Sequence, residues 1–173
     1  MDDLIFYPKI DLDYDYLRNL VYTSKPIEGR PNHHRLVEDD EYMTMVRNKY
    51  SFLSPIYNVY RMKGGLPVHV DAARQCTLNI PLVNTENSTT IVYEPVASET
   101  IRDAMTVIHI ITDRTNLVET LRFSLDRPTL FNTTVPHEVV QQGNDERISI
   151  SWSISSEYSF EEAVKLFSEC EQD

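Results

Sequence analysis

Cysteine is scarce: the 173 residues hold two. Cys76 and Cys170 make no CxxC pair and no zinc-type spacing, which argues against a disulfide-stapled scaffold or a cysteine-built metal site. Basic residues are also few, 16 Lys and Arg against 27 Asp and Glu, for a net charge of −11. Phosphate backbones and anionic membranes are bound through clustered Lys and Arg, so nucleic-acid and membrane partners are disfavoured. A small-molecule or amino-acid/peptide substrate stays compatible, because a local basic pocket can sit inside an acidic protein. Long apolar runs are missing too. Val107 to Ile111 is interrupted by His109, far short of the ~20 residues a membrane helix needs. Met1-Asp2-Asp3-Leu4 lacks the basic region of a secretory signal. The expected setting is soluble, reducing and cytoplasmic. No repeat or linker divides the chain, so one domain over 1–173 is expected, long enough to bury its own core.

What is present is mostly strand signal. β-branched and aromatic runs recur from Ile56 to Ile154, punctuated by turn residues. Helical patterning is confined to the ends: Asp11 to Tyr22, Glu41 to Leu53 and Glu157 to Glu169. Thr23 to Asp40, with Pro26, Gly29 and Pro31, reads as a loop. Many short strands without long helices between them imply a sandwich or barrel, and terminal helices can cover one outer face.

His69-Val70-Asp71 carries the first chemical signal. Residues two apart on a strand project to the same side, so an imidazole and a carboxylate emerge together. With five histidines in the chain, chance alone supplies roughly 0.4 such triplets, and an incidental acid at a strand end reads equally well. His137 changes the balance. It begins a strand that runs to Gln141, and Arg147 begins another that runs to Ile154. Were these a hairpin with Gly143-Asn144-Asp145 as a three-residue turn, His137, Arg147 and Ser149 would share a face. Arg147 would then lie about 13 Å along the sheet from the level of His137. A two-residue Gly-Asn turn would put Arg147 on the other side. The apolar row Ile148, Ile150, Trp152 and Ile154 favours the first register, with Arg147, Ser149, Ser151 and Ser153 lining an interior cavity.

These residues together resemble the iron(II)- and 2-oxoglutarate-dependent oxygenase superfamily. Its pattern is His-x-Asp, a distal His, an Arg or Lys about ten residues on, and a hydroxyl residue two later; here these are His69, Asp71, His137, Arg147 and Ser149. The stretch HVDAARQCTLNIPL, from His69 to Leu82, looks nearest to small aspartyl/asparaginyl- and prolyl-hydroxylase-like members. The resemblance implies a double-stranded β-helix, a cupin-like jelly roll over about 56–154. It implies Fe(II) on His69, Asp71 and His137, with O2 and 2-oxoglutarate as co-substrates. Arg147 would hold the far carboxylate of 2-oxoglutarate and Ser149 would add a hydrogen bond. Hydroxylation of a small molecule or an amino-acid or peptide side chain would release succinate and CO2. Tyr60, Thr77 and Asn79 stand where they can meet the inner carboxylate or the substrate, and Arg74 where it can meet the substrate.

Two departures from the family pattern stand out. Ala97 to Asp113 has no family signature, and Asp126-Arg127-Pro128 replaces the usual glycine before the LFN strand. Outside the resemblance, His109 reads as a core histidine, His33-His34 as solvated loop, and Asp11, Asp13 and Asp15 as the acidic start of a helix. Two other functions compete: a cupin-type metal enzyme that does not use 2-oxoglutarate, in which Arg147 has no task, and a non-enzymatic jelly-roll binding module.

Overall fold

The computed structural model describes residues 4–27, 30–35, 40–71, 74–95, 100–103 and 108–171. In chain order the elements begin with β1 (Ile5–Phe6), α1 (Tyr14–Thr23), β2 (Lys25–Ile27), β3 (Arg30–Arg35), α2 (Glu41–Lys49) and β4 (Leu53–Met62). The middle of the chain supplies β5 (Leu66–Asp71), β6 (Cys76–Val83), β7 (Ser88–Tyr93), β8 (Thr100–Asp103), β9 (Ile108–Ile111) and β10 (Glu119–Ser124). Last come β11 (Thr129–Asn132), β12 (His137–Gln141), β13 (Arg147–Ile154) and α3 (Phe160–Cys170).

The described strands form two antiparallel sheets. The major sheet runs β1-β11-β6-β13-β4-β3-β2, and the minor sheet runs β10-β7-β12-β5-β9-β8. This is a jelly-roll barrel, mainly β, with helices to one side. Strand β13 is central and two-faced. Its Ile148, Ile150, Trp152 and Ile154 join the main apolar core with Leu78, Ile80 and Val59. The helices complete that core through Leu17 and Val21 of α1, Met43 and Val46 of α2, and Phe160, Ala163 and Phe167 of α3. Trp152 is fully buried and its indole N–H donates to the Ser54 carbonyl at 2.7 Å, so its one polar group is satisfied.

Local chemistry explains the helix starts. Asp13 accepts from the Tyr16 amide at 2.8 Å and Asp40 from the Met43 amide at 2.9 Å, each capping a free helix N–H. Ser159 and Glu162 form a reciprocal capping box on α3. Within the acidic cluster at the start of α1, Asp13 is therefore the cap, and Asp15 lies in the first turn, paired with Arg18. Among the described residues, no helix is long and apolar enough to cross a membrane.

Three expectations need correction. The segment from Thr23 to Asp40 was expected as loop, but β2 and β3 extend the major sheet beyond β4. Proline is tolerated there because Pro26 lies on the edge strand, and Pro31 lies outside the residues of β3 that register with β4. The side chains of His33 and His34 lie outside the described residues. The expected hairpin of β12 and β13 does not form either. Strand β12 is flanked by β5 and β7, and β13 by β4 and β6, so the chain crosses between sheets through 142–146. Gly143, at a φ of 81°, supplies the left-handed residue this crossing uses. Finally, His109 is half-buried on β9, opposite Val70 and Arg102, rather than in the core. It sits in the stretch without family signature, whose described parts are β8 and β9.

Candidate metal and co-substrate site

The amphipathic alternation of β13 leaves its polar face turned inward, across from the minor sheet. Between the sheets lies a cleft lined from both sides. From the major sheet Tyr60, Thr77, Asn79, Arg147, Ser149 and Ser151 line it. From the minor sheet come His69, Asp71, Thr90 and His137, with Phe123, Leu66 and Val139 as apolar walls.

His69 and His137 face each other because β5 and β12 pair antiparallel with these residues in direct register. Their ring centroids stand 4.2 Å apart. Ligand atoms of His69, Asp71 and His137 all lie within 4.8 Å of one another. Both imidazoles are oriented by the backbone. Nδ1 of His69 lies 2.7 Å from the Pro67 carbonyl, and Nδ1 of His137 lies 2.9 Å from the Val135 carbonyl. A carbonyl only accepts, so each Nδ1 carries the proton and each Nε2 keeps its lone pair. Phe131 packs edge-on against His137 at 4.8 Å between ring centroids and limits its rotation. Gly65 makes the close approach of β5 to β12 possible, since a Cβ there would strike the Val139 carbonyl.

Charge states suit metal binding. Burial pushes His137 down to about 3, and the nearby His69 adds to the effect. Burial also lowers His69, against its bond to Pro67. Burial alone would raise the Asp71 carboxyl, but Arg74, His137 and His69 outweigh it and hold it below the ordinary carboxylate range. Two neutral imidazoles and one carboxylate are what a non-haem iron(II) site of open facial geometry requires.

These values imply acid sensitivity of the metal-free protein. The unfolded chain protonates His137 near 6.5, whereas the fold resists it down to about 3. Stability is therefore expected to fall as pH drops from about 6.5 towards 3, by up to about 1.4 kcal/mol per unit for one such group. Asp71, whose value is depressed, loses its contribution in the same direction at lower pH. Thermal melts between pH 7 and 4 check this. The slope should flatten in His137→Ala, and an unchanged slope contradicts the assignment.

Arg147 lies at the other end of the same face of β13. It is 7% exposed, and its Nε has no hydrogen-bond partner among the described residues. No ion pair compensates it among those residues, and burial pushes its guanidinium down to about 10, with Tyr60 opposing. Ser149 is two residues on, facing the same cleft. A buried cation without a counter-charge is costly, and the fold keeps it aimed into the cleft. A carboxylate-bearing ligand fits that position, since Arg offers two parallel N–H groups to two oxygens.

The other expected residues divide. Tyr60 lines the cleft and hydrogen-bonds Arg74. Thr77 donates to the Trp152 carbonyl at 3.1 Å, and Asn79 also faces the cleft. Arg74, expected to meet the substrate, lines the cleft and donates from Nε to Asp71 Oδ2 at 2.6 Å. Sequence reasoning missed Thr133, whose backbone ties Asp71 to the approach of β12. It saw Ser151 only as cavity lining, though Ser151 accepts from Arg74 at 3.0 Å. The i,i+3 spacing of Asp71 and Arg74 was the available signal for their pairing.

No protein-family model and no curated protein matches this chain. Solved structures do. The crystal structure of the epimerase SnoN in complex with Fe3+, alpha ketoglutarate and nogalamycin RO superposes with a TM-score of 0.55 at 13% identity, covering 86% of this chain and 76% of that one. A second structure, of the non-heme alpha ketoglutarate dependent epimerase SnoN from nogalamycin biosynthesis, gives 0.51 at 14% identity over the same shares. At these identities the likeness is one of fold, and the chain shares the jelly-roll architecture of SnoN.

Proposed function

We propose that this protein is an iron(II)- and 2-oxoglutarate-dependent oxygenase. His69, Asp71 and His137 hold the iron, and Arg147 and Ser149 hold the far carboxylate of 2-oxoglutarate. The observation that carries the reading is the pairing of two features in one cleft: a His-Asp-His cluster and a buried Arg147 that has no ion-pair partner among the described residues. The shared fold with SnoN, whose complex contains Fe3+ and alpha ketoglutarate, supports it.

Iron(II) with 2-oxoglutarate and O2 supplies the oxidising power to break a substrate C–H bond, with succinate and CO2 as by-products. The chain's own residues bind and orient. The two histidines and Asp71 would hold the metal, a donor set that leaves coordination positions for co-substrate and O2. Arg147 would hold the far carboxylate of the dicarboxylate, and Tyr60 and Asn79, which line the same cleft, could donate to its inner end; Thr77 lines the cleft too, but its hydroxyl proton goes to the Trp152 carbonyl. Phe123, Phe131 and Leu125 keep the neighbouring wall apolar. A cupin-type enzyme without 2-oxoglutarate leaves Arg147 without a counter-ion, and a binding module leaves the three metal-type ligands without a task.

Within this class we favour hydroxylation of a small molecule or an amino-acid or peptide side chain. SnoN is an epimerase, so the outcome at carbon has its own test. Hydroxylation adds one oxygen atom from O2 to the product, whereas epimerisation leaves its mass unchanged. The class itself is tested by incubating Fe(II)-loaded protein with 2-oxoglutarate and O2 and measuring succinate, with and without candidate substrates. Metal-dependent succinate is expected from the wild type. None from folded, iron-loaded protein across amino-acid, peptide and small-molecule substrates would count against the class.

A further inference from the structure

We infer that Arg74 is a positioning residue for the metal carboxylate, holding Asp71 so that one oxygen is reserved for the metal. The inference rests on the reading of His69, Asp71 and His137 as a metal site.

The two oxygens of Asp71 are divided between different tasks. Oδ2 accepts from Arg74 Nε at 2.6 Å. Oδ1 lies 3.9 Å from His69 Nε2, another member of the ligand cluster. A carboxylate without such an anchor can rotate, or bind a metal through both oxygens. An oxygen that already accepts a short charge-assisted bond is a poor second ligand. Arg74 therefore favours one-oxygen coordination and keeps Oδ1 in place before metal arrives.

Arg74 is itself braced from the opposite sheet, and the bonds have one consistent direction. Nη1 donates to Ser151 Oγ at 3.0 Å. Ser151 Oγ lies 2.8 Å from Thr77 Oγ1, and Thr77 Oγ1 donates to the Trp152 carbonyl at 3.1 Å. Since Thr77 spends its proton on Trp152, Ser151 must donate to Thr77, which leaves the Ser151 oxygen free to accept from Arg74. Each hydroxyl proton has one place to go, so the chain is fully satisfied and stiff. It ends on the backbone of β13, at Trp152, the largest of the fully buried side chains among the described residues. Tyr60 adds a further bond to Arg74.

The backbone on both sides of the pair is also held. The Asp71 amide donates to the Thr133 carbonyl at 3.2 Å, and the Thr133 amide to the Gln75 carbonyl at 2.9 Å. Thr133 Oγ1 donates to the Arg74 carbonyl at 3.1 Å. One residue shortly before His137 thus fixes the positions of both Asp71 and Arg74. These bonds commit Arg74 to the metal ligand and leave it a poor direct binder of substrate.

The test uses Co(II), whose visible absorption reports coordination number, on full-length wild type, Arg74→Gln, Arg74→Lys and Ser151→Ala. Loss of an outer-shell partner typically costs 10–100-fold in metal affinity, and that is the fall expected for Arg74→Gln. Its Co(II) bands should also change as the second carboxylate oxygen joins. Arg74→Lys keeps one N–H for Oδ2 and should restore the wild-type bands. Ser151→Ala should weaken affinity in the same direction by less. Wild-type affinity and bands in folded Arg74→Gln overturn the inference. If that variant does not fold, unchanged affinity and bands in Ser151→Ala overturn it instead. A wild type that binds no Co(II) overturns the metal site itself, and this inference with it.

Discussion

Replacing Arg147 by methionine is expected to do two opposite things: abolish useful 2-oxoglutarate binding and make the ligand-free protein melt at a higher temperature. The second effect follows from burial. The guanidinium is 7% exposed, and burial pushes its value down to about 10 from 12.5. Holding it charged at neutral pH therefore costs the fold on the order of 3 kcal/mol. Methionine fills similar space without that cost, so stability should rise, at about 2–4 °C per kcal/mol for a chain of this size. The first effect follows from pairing. A buried carboxylate that loses its cationic partner forfeits about 2–5 kcal/mol, or roughly 30-fold to a few thousand-fold in affinity. Arg147→Lys keeps the charge but loses the two-pronged geometry, and should fall between the two. Iron affinity should be unchanged in both variants. A structural cation would behave in the opposite way, because removing it would lower the melting temperature. Melting curves with and without 2-oxoglutarate separate the two cases.

The other large effect is expected at His137. In wild type, Fe(II) or Mn(II) should raise the melting temperature in proportion to the logarithm of metal concentration. Binding to the folded state at 1,000 times Kd is worth about 4 kcal/mol. His137→Ala should lose that response almost wholly, because two ligands cannot close one face of the metal. Its own fold should survive. The variant loses one side chain that packs on Phe131 and His69, at the polar cleft rather than in the main apolar core. The expected pattern is a normal metal-free melt that no longer shifts with metal. A full metal shift in His137→Ala would show that the metal sits elsewhere.

The legible part of the site was carried by strand parity. His69 and Asp71 stand two apart, and Arg147, Ser149 and Ser151 stand at intervals of two on a strand whose alternate residues are Ile148, Ile150 and Trp152. An apolar row of that kind must turn to the core, which turns the polar row inward regardless of which strands pair. Arg147 and Ser149 therefore face the cleft even though the expected hairpin of β12 and β13 does not exist. Local spacing could not reveal that crossing, because a short polar segment with one glycine suits a tight turn or a passage between sheets equally well. The strands β2 and β3 were hidden for a related reason: Pro26 and Pro31 read as loop, yet Pro26 falls on the edge strand and Pro31 outside the residues of β3 that register with β4. The role of Arg74 was invisible for another. Its partners Ser151 and Tyr60 come from distant strands, and only the packed sheets bring them together.

The most direct test of the account is an anaerobic titration of Fe(II)-loaded wild type and Arg147→Met with 2-oxoglutarate, following the weak visible charge-transfer band of the iron chelate. The account predicts a saturable band in wild type, and in the variant a band that needs roughly 100-fold more 2-oxoglutarate or never forms, at equal iron loading. Iron-loaded wild type that gives no band, or a variant that saturates at the wild-type concentration, would contradict it.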